Sequence, residues 1–449
     1  MSFPSADQAP RYLELRALRL PAVFALTLAV FSCGEKSTPA GSGPNNAGGS
    51  NHAAGGTPGV GGKASVTGGT LSALGGNPTV GGTGGMNAIG GGGNSLVAGG
   101  GAFATGGTPN AGGGMGGAGL VTPNGTPFVF IGETEGVVRA YTMNPTDGSL
   151  TPSGSQAVAG LDFMTVDAAR KVVFISGSDN VSAYKYDSSN HTFTFLDSQA
   201  STQGTHVAVH PSGKFVFTAG YNPGKMFFHT FSEQAGFGVG QSFSPGMKAH
   251  EVRCSASGNV VYVPCLGSDL VPQYTLDPVG GALSASGTAT LPQGSGPRHM
   301  DFHPSANVAY VLSELSSQVF VFDIEVQSGA LQARPADTVF THPDGQFHQS
   351  SDIRVTPSGA FVYAVNRQPN QIVPFKVEAN HALTRQSSLA LSGEVRAFGV
   401  DAAGTFLQVG SKDGKLLAFR IDPMSGALTE ASRLEGLGTI NVTEVHYLQ

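Results

Sequence analysis

Residues 296–317 read GPRHMDFHPSANVAYVLSELSS, and the reading of this stretch decides the fold. Two short apolar runs, Met300–Phe302 and Val308–Leu312, flank a Pro-Ser-Ala-Asn turn, which is the signature of a β-hairpin. Arg298 and His299 stand at the start of the first strand and Glu314 at the end of the second. A hairpin brings its outer ends together, so base, acid and cation are expected on one rim. Each of these side chains is costly to bury without a partner, and that pattern suggests a site.

The same grammar repeats on both sides. From about Pro127 onward, short alternating apolar runs are separated by turn signals, and no long stretch has helical period. Tight turns open as HPSGK at His210, SASGN at Ser255, TPSGA at Thr356 and DAAGT at Asp401. A second class of turn runs from Asp277-Pro278 to Gly281 and from Asp422-Pro423 to Gly426. There the Asp caps backbone amides and the Gly takes positive φ. One residue before each such turn marks the repeat: Tyr141, Tyr184, His229, Tyr274, Phe322, Phe375 and Phe419, spaced by 43, 45, 45, 48, 53 and 44 residues. Seven units of this length predict an all-β, seven-bladed β-propeller. The first unit starts at its second strand, FVFIGETEG, and a spare strand, INVTEVHYLQ, follows the last unit. Placing that C-terminal strand in the first blade closes the ring and covers an otherwise free edge.

The chain ahead of the ring divides in two. Arg11, Arg16 and Arg19 precede an apolar run of 12 residues, Leu20–Phe31, and then Cys33. This resembles a bacterial lipoprotein signal over residues 1–33, with Cys33 lipidated and the chain anchored to the cell envelope; the run is too short to span a bilayer. Between Gly41 and Leu120 lie 32 of the 66 glycines, and the only charge is Lys63. Residues 34–122 are therefore expected to be a disordered tether, and 123–449 the propeller. The tether's reach is roughly 50 Å for about 85 residues.

Export permits disulfides, but the two cysteines of the ring fall on opposite strands of one hairpin about four residues out of register. Cys254 is expected opposite Val261 and Cys265 opposite His250, both free. The net charge of −6 with no basic cluster argues against nucleic acid. No His, Cys or carboxylate spacing matches a metal motif, no serine elbow appears, and no cofactor is implied. His210 and His303 sit in turns and read as surface residues. A monomer is expected.

Aligned on the second-strand aromatics Tyr262, Tyr310 and Tyr363, His250 takes the position of Arg298, and Glu314 that of Arg367. His206, His299 and Asp352 share another position. All are expected at one mouth of the central channel. In sequence the ring resembles the lactonase family of seven-bladed propellers, which includes a 6-phosphogluconolactonase and a fungal carboxy-muconate cyclase. The likeness is carried by GPRHMDFHPSANVAYVLSELSS, by KAHEVRCSASGNVVYVPCLGSDLVPQYTLDP before it and by SSDIRVTPSGAFVYAVNRQPNQI after it. It implies action by a His, two Arg and a Glu, which fall on His250, Arg298 and Glu314, with Arg367 or Arg354 as the second arginine. His299, Asp352 and His206 are expected to help bind an anionic or lactone substrate. The chain departs from the family's pattern at Gly177-Ser178, Ala219-Gly220-Tyr221 and Pro264-Cys265-Leu266-Gly267.

Lactone opening needs a base to activate water and a cation beside the developing oxyanion. Either Glu314 or His250 fits the first role, and the arginines fit the second or hold a carboxylate or phosphate. The same set suits a cyclase, and a non-catalytic propeller that binds a carboxylated ligand or a protein is the alternative from another class.

Overall fold

The computed structural model describes residues 123–449 other than Gln203. The expected signal segment, Cys33 and the tether lie outside the described residues. Among the described residues the chain forms seven antiparallel sheets of four or five strands, with a single short 3-10 helix, Pro335–Asp337. The sheets are the blades of a β-propeller. Their innermost strands include Phe163–Asp167, Gly204–Val209, Arg253–Cys254, Pro297–Phe302, Ser350–Val355 and Val395–Val400. The seventh innermost strand is the C-terminal Ile440–Leu448, which pairs antiparallel with Thr126–Glu133 and so completes blade 1.

The marked residues of the repeat occupy equivalent third-strand positions. Tyr141 faces Val129, Tyr184 faces Val173, His229 faces Val216, and Phe375 faces Val362. All seven are buried, and the six tyrosines and phenylalanines belong to hydrophobic clusters that join neighbouring sheets. At roughly 25 cal/mol per Å² of apolar surface removed from water, these repeated aromatic layers hold blade against blade. Hydroxyls add direction: Tyr262 donates to the Gly329 carbonyl at 2.8 Å, Tyr310 to that of His381 at 3.0 Å and Tyr363 to that of Gly426 at 2.8 Å, each time in the next blade.

The innermost strands are also joined by carboxylates. Glu251 Oε2 accepts from the Met300 amide at 2.6 Å, Asp301 Oδ2 from the Val355 amide at 2.8 Å and Asp352 Oδ2 from the Phe398 amide at 3.1 Å. Each link crosses one blade boundary in the same sense, from blade 4 through to blade 7.

Two expectations change. His210 is buried, not a surface residue: its Nδ1 bonds the Ser212 hydroxyl at 2.7 Å and its Nε2 the Gly258 carbonyl at 3.1 Å. Gly258 takes φ +77°, and a Cβ there would lie 2.0 Å from His210 Nε2, so this turn admits only glycine. His303 makes the same kind of contact, lying where a Cβ on Gly359 would meet it at 2.4 Å. The second change is one of register: Cys254 does oppose Val261, but Cys265 bridges to Ala249 rather than His250. Both thiols are free, and burial pushes each up to about 12.

Candidate active site

Strand alternation sends neighbouring residues to opposite faces. The innermost strands break that rule where it matters. Their register shifts between Gly204 and His206, Pro297 and His299, Ser350 and Ile353, and Val395 and Phe398, and again between Ile440 and Val442, where Asn441 is the extra residue opposite Glu133 and Gly132. A bulge places two residues against one and re-aims side chains. Consecutive residues such as Arg298 and His299 therefore both reach the channel.

The result is a channel in three layers. The upper opening is a cavity of about 350 Å³ lined by Asp162, Thr205, His250, Arg298, Arg396 and Asn441 from the innermost strands and their leads. Tyr221, Glu314 and Arg367 line it from the ends of second strands, and His299 closes its floor. The lower opening, of about 400 Å³, is lined by His206, Arg253, Arg354 and Glu444 among others. Between the two lie Glu251 and Asp352, both fully enclosed.

Of the residues expected at one mouth, the structure brings together His250, Arg298, His299, Glu314 and Arg367. It does not place Asp352 or His206 with them. Asp352 lies one residue further along its strand than Ser351, and its carboxylate accepts from Arg354 Nη1 at 2.7 Å and the Ile353 amide at 2.9 Å. His206 opens onto the lower cavity and stacks on Phe163 at 4.2 Å between ring centroids. Arg354, the alternative second arginine, also lines the lower opening, so Arg367 is the one at the upper mouth.

Glu314 organises the mouth. Its Oε1 accepts from Arg367 Nη2 at 2.6 Å. Its Oε2 lies 2.8 Å from Arg298 Nε, whose N–H is not aimed along that line, so this contact is ionic rather than a directed bond. Arg367 Nε also donates to the Gln349 carbonyl at 3.1 Å, and Arg298 Nη1 to the Ser351 carbonyl. Two guanidiniums are thus held side by side on one carboxylate. Burial lowers Arg298 to about 10, with Glu314 opposing the shift, and it stays protonated at neutral pH. His250 is buried, and its Nδ1 has no protein hydrogen-bond partner. Burial above all, and then the positive charge of Arg298, hold it well below the ordinary imidazole range. The same causes act on His299, 5.1 Å away between ring centroids. Both rings are neutral at pH 7.

Arg396 was not among the expected residues. It occupies in blade 7 the strand position of Arg298 in blade 5, as VRAF against PRHM shows, and it lines the same cavity. Its Nε donates to Glu394 at 3.1 Å, and its side chain is 38% exposed. The wall opposite comes from Asp162, whose carboxyl burial pushes up, and from the uncharged Thr205, Tyr221 and Asn222. Such a cavity can hold an anion on the arginine side and present an unprotonated imidazole to a water beside it.

Known proteins agree with this architecture. The 6-phosphogluconolactonase of Enterobacter sp. (strain 638) is 27% identical over 305 residues, covering 66% of this chain and 91% of its own. That of Pectobacterium carotovorum subsp. carotovorum (strain PC1) is 29% identical over 235 residues, 51% of this chain and 70% of its own. Among solved structures, a periplasmic gluconolactonase of Pseudomonas aeruginosa superposes with a TM-score of 0.66 at 22% identity, over 72% of this chain and 100% of that one. Residues 126–440, from the first strand of the ring to the start of the closing strand, match the family model described as Lactonase, 7-bladed beta-propeller, and the chain belongs to that family.

Proposed function

We propose that the chain hydrolyses an anionic sugar lactone of the 6-phosphogluconolactone type in the upper cavity. The observation that carries this reading is the unpartnered neutral imidazole of His250 beside two arginines clamped on Glu314. Both Glu314 oxygens face guanidiniums, so we assign the base to His250, whose Nδ1 has no protein partner and whose ring lines the cavity beside Arg298. It takes a proton from water as the water oxygen bonds to the lactone carbonyl carbon. Arg298, the deeper cation, stabilises the oxyanion. The ring C–O bond then breaks, the ring oxygen takes the proton back from His250, and the product is the hydroxy acid. Arg367 and Arg396 nearer the rim hold the substrate's phosphate or carboxylate. The curated 6-phosphogluconolactonases similar to this chain support the substrate class.

The site of action is proposed to be the cell envelope, with Cys33 as the lipid anchor; the basic, apolar and cysteine-terminated segment supports it. Incorporation of labelled fatty acid that is abolished by Cys33→Ala is the expected result.

The test of the activity is NMR-followed opening of δ-gluconolactone with and without a 6-phosphate, corrected for spontaneous hydrolysis. Turnover of the phosphorylated lactone that is lost in His250→Gln supports the proposal. Saturable binding without turnover in the wild type favours the non-catalytic alternative and overturns it.

A further inference from the structure

Beneath the floor of the upper cavity, three side chains from blades 3, 4 and 5 converge on the channel axis. His206 Nε2 lies 3.6 Å and His299 Nδ1 3.5 Å from Glu251 Oε1. The three ligand-type atoms all fall within 4.8 Å of one another, and all three residues are buried. Glu251 is fully enclosed, yet its Oε1 has no protein hydrogen-bond partner, and neither has His299 Nδ1.

These separations discriminate between occupants. A direct N–H···O bond brings its heavy atoms to about 2.7–3.2 Å, closer than either pair. A water bonded to two of them at about 2.8 Å with tetrahedral angles needs them roughly 4.6 Å apart, wider than either pair. A tetrahedral cation with ligands at about 2.0–2.2 Å sets neighbouring ligand atoms roughly 3.3–3.6 Å apart, which matches both. Charge points the same way. Glu251, Asp352, Asp301 and Glu444 gather at and below this layer against two arginines, Arg253 and Arg354, while above it Arg298 and Arg367 share the one carboxylate of Glu314. His446 beside Glu444 adds a cation only when protonated. A divalent cation offsets the remaining negative charge. Arg253 Nη1, 3.7 Å from Glu251 Oε1, is turned to Asp301 through its other nitrogen.

We propose that His206 Nε2, Glu251 Oε1 and His299 Nδ1 bind one divalent transition-metal ion of zinc type at the centre of the channel. Two imidazoles and one carboxylate form a donor set of borderline softness, suited to zinc over magnesium or calcium. The ligands are spaced by 45 and 48 residues, which is the blade repeat, so a scan for metal motifs passes over them. The ion ties blades 3, 4 and 5 together at the axis. It also fixes the ring of His299, whose other side faces the upper cavity. The site is therefore a pin for the ring and a positioning device for the floor of the mouth.

The test uses the tag-free full chain, stripped with a chelator, dialysed against zinc and analysed for metal by mass spectrometry. A second cluster, His342, Asp344 and His348, lies on the surface and is removed in a control, H342A/H348A. One zinc per chain is expected in the wild type and in the control, and none in Glu251→Gln, which keeps an acceptor for the Met300 amide. Zinc at about a hundredfold over its dissociation constant should raise the melting temperature by roughly 5 °C in the first two and leave Glu251→Gln unmoved. His206→Gln decides the matter if Glu251→Gln does not fold. No stoichiometric zinc in the wild type, or zinc lost in the control but kept in Glu251→Gln, overturns the proposal.

Discussion

Arg367 of blade 6 reaches across the blade boundary and donates to Glu314 of blade 5 at 2.6 Å. The same carboxylate faces Arg298, so one acid orders two cations from different blades. Removing either end should have different effects. Arg367→Ala deletes a charge that binds substrate in both ground and transition states, so KM for a phosphorylated lactone should rise about 10- to 100-fold with kcat little changed. Glu314→Gln leaves both guanidiniums but frees them, and should lower kcat and kcat/KM together. Steady-state kinetics of both variants with and without the substrate phosphate check this. An equal effect of Arg367→Ala on both lactones contradicts the assignment.

His250 is the base in this scheme, and its environment sets the pH profile. A lowered imidazole pKa means the unprotonated form persists to lower pH than the ordinary 6.5. Activity should therefore show no fall between pH 8 and 6, once spontaneous opening is subtracted. His250→Gln should cost about 10²- to 10⁴-fold in kcat across that range. A profile that drops by half near pH 6.5 in the wild type runs against this.

The ring was legible in the sequence because its period is enforced by burial. Tyr274, Phe322 and Phe419 recur since each must fill the same space between sheets, opposite Val261, Ala309 and Leu407. Depth within the channel was not legible. Strict alternation points Arg298 and His299 to opposite faces, whereas the bulge between Pro297 and His299 sends both inward. A step of one residue, about 3.3 Å, then separates a mouth position from a buried one. That step put Asp352 beneath the mouth, where Ser351 offers only its carbonyl to Arg298. Arg396 was missed because no histidine or acid follows it as His299 follows Arg298, although its strand position is the same.

Exposed turns are expected to make an acid-sensitive contribution to stability. The carboxylates of Asp187 and Asp277 are held below the ordinary 3.8 by backbone amides of the turn, and that of Asp422 by Ser425. A carboxylate with a depressed folded pKa adds stability above its unfolded pKa, and this is lost as pH falls through the folded value. The triple variant D187A/D277A/D422A should melt below the wild type at pH 7, and the gap should narrow from about pH 4 downward. Melting curves at pH 7, 4 and 3 decide it, and a gap that stays constant rules the turns out as the source.

Cys265 is fully buried, and its thiol donates to the Val263 carbonyl at 3.3 Å. With its pKa pushed up to about 12, almost no thiolate exists at neutral pH, and the thiolate is the reactive form. Alkylation mapped by peptide mass spectrometry should leave Cys265 unmodified in the native protein and label it fully in denaturant. Rapid native labelling at pH 7 contradicts the burial.

The closing strand supplies the last prediction. Ile440, Val442, Val445 and Leu448 are buried on it, and Thr443 is enclosed among them. Its pairing with Thr126–Glu133 also satisfies the amides and carbonyls of what is otherwise an open edge. Ending the chain at Gly438 removes four apolar anchors, each contributing about 1.5–3 kcal/mol when fully buried. That total is comparable to the whole stability of a typical domain, 5–15 kcal/mol. It also exposes the edge of blade 1 to other chains and opens the upper cavity beside Asn441. The truncated protein should be recovered mostly as aggregate, and a synthetic peptide of residues 439–449 added during refolding should restore soluble ring. A truncated chain that stays soluble and melts like the wild type shows that six complete blades and a partial seventh hold without the clasp.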